Sequence, residues 1–388
     1  MKNSPFIIFC ILFLFFLFSC NSVPMRQTSE KDNLLIFRLN LRVYEDKIRK
    51  APDNYRLYYE RGNYYCLSGY YDAALMDINK ALQIEPSYEE ALLLRGMIFI
   101  CKAQYKNALS DFAKALVLAP RDDRVYNNRA CLYIQLGDLE NALHDIDTAI
   151  ILNPKNDLYF KNKGQIYYRM NDYENALINY SNAIRLNPKN AETYFDRGNA
   201  YEILQRYDMA LIDYYKVVKL KYRISDVYFH MGICCYHLQK YSDAIDLFTQ
   251  AIKIDNVNFR FYEWRGNTNL KLGKYDKAVS DFDMAIRFNS EIPALFNNKA
   301  MALLLKGELD QALIFLKKSI ELFPNYWDFY KSQAMIYRYL SKKSKSENEK
   351  QLLLIFADES ESIYSTKNQK VNHDEQTKSL SDKIFEYK

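Results

Sequence analysis

The chain has 388 residues but only 10 glycines and 4 histidines, and that scarcity closes off several kinds of chemistry. No G-x-x-x-x-G-K-[ST] or G-x-G-x-x-G string exists, so no backbone loop of that type cradles a nucleotide phosphate. There is also no H-E-x-x-H pair to hold zinc and no G-x-S-x-G elbow to present a nucleophilic serine. His230 and His237 stand seven residues apart without an acidic residue in a ligand pattern, so they read as surface or groove side chains. No metal, no cofactor and no small-molecule substrate is therefore expected, and no enzymatic activity. A one-sided charge is missing too. The 53 Lys and Arg against 48 Asp and Glu leave +5, scattered along the chain, whereas a nucleic-acid backbone requires a concentrated basic face. No nucleic acid partner is expected. Finally, the one strongly apolar run, residues 6–18, has 13 residues, short of the roughly 20 that a helix needs to cross a bilayer core.

That run, "FIIFCILFLFFLF" after Lys2, has the length of the apolar part of a secretion signal. It leads into Leu17, Phe18, Ser19 and Cys20. The junction resembles the lipobox of bacterial lipoproteins, which has an aliphatic residue three before a cysteine and a small residue just before it. Phe18 is larger than the residue usual at its place. The resemblance implies cleavage before Cys20, which would become the N-terminus and carry acyl chains. Each buried CH₂ of such a chain contributes about 0.8 kcal/mol, so two or more chains hold stably where one is marginal. Residues 1–19 then read as a lipoprotein signal peptide and 20–32 as a flexible tether. Asn21, where some bacteria use Asp to retain lipoproteins at the inner membrane, favours the outer membrane. Cys10 would leave with the signal. Cys66, Cys101, Cys131, Cys234 and Cys235 remain, an odd number without C-x-x-C spacing, which argues for small buried hydrophobes over a disulfide framework. A Cys66 to Cys101 bridge between neighbouring helices is the alternative.

The rest of the chain is periodic. Pro52, Pro86, Pro120, Pro154 and Pro188 are each 34 residues apart, and Pro324 falls in phase. Counting from Tyr55, eight gapless repeats run to Tyr326, and the twentieth position is Ala in all of them: Ala74, Ala108, Ala142, Ala176, Ala210, Ala244, Ala278 and Ala312. Position four is usually aromatic, position eight is Gly or Ala, position twenty-four is large and position twenty-seven small, apart from Val217. These spacings mark one face of each of two helices. A bare position eight opposite the alanine of position twenty is expected to let the two backbones approach closely. All ten glycines sit at position eight or fifteen, the latter supplying the turn, and Pro at thirty-two ends the second helix. Repeats five to seven have Tyr222, Asn256 and Ser290 in place of that Pro, so a softer joint is considered at residues 219–224.

The pattern resembles the tetratricopeptide repeat (TPR) family. What the resemblance implies is an all-α fold, a right-handed superhelical solenoid of stacked helix-turn-helix repeats whose groove is lined by the first helix of each. Residues 33–54 read as an N-terminal capping helix, 55–326 as eight TPR repeats, 327–364 as a degenerate ninth repeat with a C-terminal cap, and 365–388 as a disordered tail.

Within each first helix, positions two, five, nine and twelve lie away from the aromatic stripe, with position six at the edge. Asparagine recurs on that face, and its amide both donates and accepts, which suits gripping an extended peptide. The candidate groove residues are Asn63, Asn127, Asn128, Lys161, Asn162, Asn199, Asn267, Asn297 and Asn298. Glu192, Asp196, Asp226 and Glu263 make the middle of the face acidic, while Arg56, Arg124 and Lys161 make the earlier part more basic. Family members that clamp chaperone C-terminal carboxylates use Lys and Asn followed by Asn, Lys and Arg, where this chain has Lys161, Gln165, Asp196, Asp226 and His230. That clamp is absent.

The expectation is a membrane-tethered, non-enzymatic protein-protein interaction scaffold of the bacterial cell envelope. Its partner would be a protein or peptide in the groove, and the membrane would be reached through acylated Cys20. The alternative is a regulatory or substrate-recruiting subunit of an enzyme complex whose catalytic chain is separate.

Overall fold

The structure is a computed structural model that describes residues 30–222, 224–326 and 328–371. Residues 1–29, which include the segment read as a signal peptide and Cys20, and residues 372–388 lie outside the described residues. Among those described there are nineteen helices and no strand. After α1 (Glu30–Lys50) come the hairpins of the first four repeats: α2 (Tyr55–Leu67) with α3 (Tyr71–Ile84), α4 (Glu89–Cys101) with α5 (Tyr105–Leu118), α6 (Asp123–Leu136) with α7 (Leu139–Leu152), and α8 (Asp157–Arg169) with α9 (Tyr173–Leu186). These form one compact unit, which ends at Pro188. The second unit holds α10 (Ala191–Ile203) with α11 (Tyr207–Lys219), α12 (Ile224–His237) with α13 (Tyr241–Ile254), α14 (Phe259–Lys271) with α15 (Tyr275–Phe288), α16 (Pro293–Lys306) with α17 (Leu309–Leu322), and α18 (Asp328–Lys343) with α19 (Glu347–Val371). Within each unit the hairpins stack, so that first helices lie beside first helices: α2, α4, α6 and α8 in one, α12, α14, α16 and α18 in the other.

Local sequence explains where each helix begins and turns. Asn54, Asp122, Asn156, Asn190 and Asn258, each just before a first helix, cap it by accepting a backbone N–H. Asp138 and Asp172 do the same for α7 and α9. Position fifteen is left-handed in every repeat. Glycine takes it at Gly69, Gly137, Gly273 and Gly307, but Ala103, Asn171, Gln205 and Gln239 adopt φ between 55° and 60° there. The hairpin turn is thus imposed by packing even where a side chain opposes it. Between repeats five and six, where Tyr222 replaces the closing Pro, α11 stops after 13 residues at Lys219 and Lys221 takes φ 60°.

The core of each hairpin is the twenty-fourth position. Ile78, Phe112, Ile146, Tyr180, Tyr214, Phe248, Phe282 and Leu316 are all at most 1% exposed. Each lies on the second helix against position eight of the first. A Cβ built on Gly232 would meet Phe248 Cε1 at 2.5 Å, and one on Gly164 would meet Tyr180 at 2.6 Å. The expected approach of position eight to the alanine of position twenty is seen in the first repeat, where the Ala74 carbonyl would lie 3.3 Å from such a Cβ, but the nearest neighbour of each glycine at position eight is the side chain of position twenty-four. The chain obeys this constraint internally. Where position eight is alanine, as at Ala130 and Ala300, position twenty-four is aliphatic, Ile146 and Leu316.

A second contact ties the same two helices. In repeats one, two, three, five and seven, an Arg at position seven forms a bidentate pair with an Asp at position twenty-three: Arg61 with Asp77, Arg95 with Asp111, Arg129 with Asp145, Arg197 with Asp213 and Arg265 with Asp281. The N to O distances run from 2.7 to 3.2 Å, and the aspartates are 9% exposed or less. Repeat six replaces the pair with Met231 and Leu247. Repeat eight places Lys299 over the Phe315 ring, 3.6 Å from its centre, and pairs it with Asp283 of the repeat before.

At the ends the structure shifts the expected boundaries. Helix α1 begins at Glu30, inside the segment read as tether, and α19 continues to Val371, so residues 365–371 are helical instead of disordered. Phe37 of α1 stacks on Tyr64 and Tyr70, at 5.3 and 4.9 Å, and Asn40 donates to the Tyr64 hydroxyl at 3.1 Å.

Two stability results follow. Gly232→Ala should lower unfolding stability by about 1–3 kcal/mol through overpacking against Phe248, and Phe248→Ile should restore most of the loss in the double variant. Chemical denaturation checks it, and additive losses would contradict the packing argument. Arg129→Met leaves Asp145 buried without its partner and should cost about 3 kcal/mol or more, whereas Arg129→Met with Asp145→Leu, copying repeat six, should come back to near wild type in the same assay.

Candidate functional site

The candidate surface is built from the first helices. In the N-terminal unit, α6 and α8 lie side by side and bring Asn127 against Asn162. Asn162 Nδ2 donates to Asn127 Oδ1 at 2.7 Å and approaches Cys131 Sγ at 3.5 Å. Both amides are 1% exposed. Asn128 Nδ2 donates to the Arg124 carbonyl one turn earlier at 2.8 Å, and Lys161 is 4% exposed. These four residues were expected on an open polar face. The structure buries them instead, because the close approach of neighbouring first helices covers positions five and six. Arg124, on the exposed side, is held by Asp122 at 2.7 Å.

Asn63, on α2, is half-buried. So are Asn199 on α10, Asn267 on α14, and Asn297 and Asn298 on α16 in the C-terminal unit. The Asn199 side-chain amide lies 2.8 Å from the Tyr214 hydroxyl. The side-chain oxygens of Asn63, Asn162 and Asn297 are different: each is buried and accepts no hydrogen bond from the protein. An amide oxygen in that condition is costly, by about 1–3 kcal/mol, until a donor reaches it.

The C-terminal unit holds a cluster that the sequence reading passed over. Glu202, at position twelve of the fifth repeat, contacts the Tyr214 hydroxyl at 2.8 Å and His230 Nδ1 at 3.0 Å, with Cys234 Sγ at 3.9 Å. Burial works to raise the Glu202 carboxyl, but His230 and the donating Tyr214 outweigh it and hold the group below the ordinary range. Position twelve belongs to the polar face, so spacing alone points to Glu202; its coupling to His230 of the next repeat needs the fold. His237 also lies within electrostatic reach of Glu202 and adds to the pull on its carboxyl. It stacks flat on Tyr207 at 4.7 Å. Nearby, burial pushes the Glu263 carboxyl up to about 7 against the opposing pull of Arg260, whose guanidinium lies 5.1 Å from the centre of the Phe229 ring.

Cys66, Cys101, Cys131, Cys234 and Cys235 are free thiols. Burial pushes Cys66 and Cys131 up to about 12, far from reactive thiolates. Among the described residues no cluster of His, Cys, Asp and Glu could hold a metal ion, and no helix is long and apolar enough to cross a membrane.

No curated protein matches the chain. Family models described as tetratricopeptide repeat match residues 55–88, 124–156, 191–223, 225–256 and 265–326, and one described as TPR repeat matches 164–205. Among solved structures, the C-terminal part of a TPR repeat-containing protein from Cytophaga hutchinsonii is similar with TM-score 0.53 and 17% identity, over 62% of this chain and 98% of that one. A structure described as a functional characterisation of Pseudomonas aeruginosa pilF is similar with TM-score 0.50 and 20% identity, over 55% of this chain and 97% of the other. The hairpin, its left-handed turn, its small positions eight, twenty and twenty-seven, and the recurrence of the family models from residue 55 to residue 326 agree: the chain belongs to the tetratricopeptide repeat family.

Proposed function

We propose that the protein is a non-enzymatic protein-protein interaction scaffold, tethered to a membrane of the bacterial cell envelope by acylated Cys20 and active as an adaptor in envelope assembly. The observation that carries the binding role is the recurrence of half-buried asparagines on first helices, Asn63 in the N-terminal unit and Asn267, Asn297 and Asn298 in the C-terminal unit. An extended peptide offers backbone N–H donors and carbonyl acceptors at regular intervals, and an amide side chain can meet both. Within each unit the amides divide by task. Asn127 with Asn162, and Asn199 with Tyr214, bind parts of the protein to one another, while Asn63, Asn267, Asn297 and Asn298 are half-buried and open to a partner. The exposed carboxylate of Asp226 favours a partner segment with cationic side chains along the C-terminal unit. The tether reading rests on the apolar run of residues 6–18 and the Leu17 to Cys20 junction, with the outer membrane favoured by Asn21.

Alanine at Asn63, Asn267, Asn297 and Asn298 together should cut recovery of the co-purifying partner from membrane extracts at least about tenfold, with the melting temperature within about 2 °C of wild type. Full recovery would remove the groove from the account. Metabolic labelling with a radioactive fatty acid should mark the wild-type chain and leave Cys20→Ala unlabelled. Label persisting in the variant would end the tether reading.

A further inference from the structure

Helix α1 is apolar on two faces but uses only one inside the protein. Phe37 and Tyr44 pack on Tyr64, and Leu41 and Ile48 are half-buried in step with them. Toward the other side Leu35, Leu39 and Val43, one turn apart, are 57%, 50% and 52% exposed. A terminal helix of a stacked array ordinarily shows solvent a polar outer face, so a continuous apolar stripe there implies something that covers it.

The charges around the stripe indicate what. At 100° per residue, Arg38, Arg42 and Arg49 fall within about 60° of Leu35 on one flank, and Lys50 falls about as far on the other. All four are exposed. The carboxylates of α1 are Glu30, Asp32, Glu45 and Asp46; by the same count Asp46 falls on the stripe itself, at its C-terminal end, where Arg49 engages it at 3.3 Å. A stripe of leucine and valine bordered by arginines matches a surface that is apolar beneath and anionic above. That is the description of a bilayer with acidic headgroups.

We propose that the outer face of α1 docks onto an anionic lipid surface, with Leu35, Leu39 and Val43 at the acyl boundary and Arg38 and Arg42 at the headgroup phosphates. The proposal rests on the tether reading in one respect: nine residues separate Cys20 from Glu30, and at no more than about 3.6 Å per step they keep α1 within roughly 35 Å of the anchor. Docking would then fix the orientation of the first hairpin against the membrane, which an extended tether alone leaves free to swing.

The test uses the chain from Asn21 onward, which keeps every described helix and lacks Cys20 and the apolar run, so acylation cannot contribute. It should co-sediment with vesicles of phosphatidylglycerol and phosphatidylcholine, release at high salt, and bind vesicles of phosphatidylcholine alone at least tenfold more weakly. Arg38→Glu with Arg42→Glu should lose at least tenfold in apparent affinity for the anionic vesicles, and Leu35→Gln with Leu39→Gln should bind more weakly too, both with unchanged circular dichroism. No binding to anionic vesicles, or equal binding by the charge-reversed variant, would overturn the proposal. So would a concentration-dependent dimer in sedimentation velocity that Leu39→Glu abolishes, since a second copy would then cover the stripe. A failed acylation experiment at Cys20 leaves these outcomes unchanged, and failed vesicle binding leaves the tether standing.

Discussion

Each of the eight repeat hairpins between residues 55 and 326 closes at one point, where the side chain at position twenty-four of the repeat presses into position eight. The gap is too small for both to be large. Gly232 faces Phe248, Gly164 faces Tyr180, and where alanine fills position eight the partner shrinks to Ile146 or Leu316. From that contact the rest follows. The helices of a hairpin are brought close enough for the alanine of position twenty and the residue at twenty-seven to be wholly buried, and close enough for the Arg at seven to reach the Asp at twenty-three with both nitrogens of its fork. The turn between them must then be tight, which is why Ala103, Asn171, Gln205 and Gln239 accept a left-handed backbone that costs an ordinary residue about 1–2 kcal/mol.

The ion pairs are secondary to that contact, and the chain itself shows it. A buried pair offsets much of its attraction with desolvation, so well-packed apolar residues of similar size serve about equally. Repeat six has Met231 and Leu247 there, and repeat eight substitutes a lysine lying on an aromatic face, while both keep the hairpin geometry. What the charged version adds is direction. A bidentate fork fixes the roll of one helix against the other, where an apolar pair tolerates sliding.

The fold was legible in the chain because its constraint is steric and recurs: Ala74 to Ala312 at intervals of 34 leave no other reading, and the glycines at positions eight and fifteen mark the approach and the turn. Less was legible where a residue type does not announce its task. Nothing in Ala103 signals a positive φ. Arg129 and Asp145 look like solvated charges until the helices are side by side. Spacing picks out the polar face of a first helix but not its depth, because the burial of Asn127 and Asn162 arises between repeats and periodicity within one helix carries no information about it. Glu202 shows the same limit, since its partner His230 lies 28 residues away on the next first helix.

These two levels explain how one surface can be both rigid and receptive. Hairpin geometry is set by positions eight, twenty, twenty-four and twenty-seven, none of which lies on the first-helix polar face, so polar residues there are free of the task of holding the fold. Some have been drawn into bridges between neighbouring repeats, as Asn127 and Asn162 have, and these fix the spacing of the first helices. The amide oxygens of Asn63, Asn162 and Asn297 remain buried without a donor, at a cost of about 1–3 kcal/mol each. Because the steric core holds the helices in place, the chain has no cheap way to move those oxygens into contact with a donor of its own. A donor from outside could reach oxygens that deep only after the side chains turn outward, so any gain in binding is set against the cost of that rearrangement.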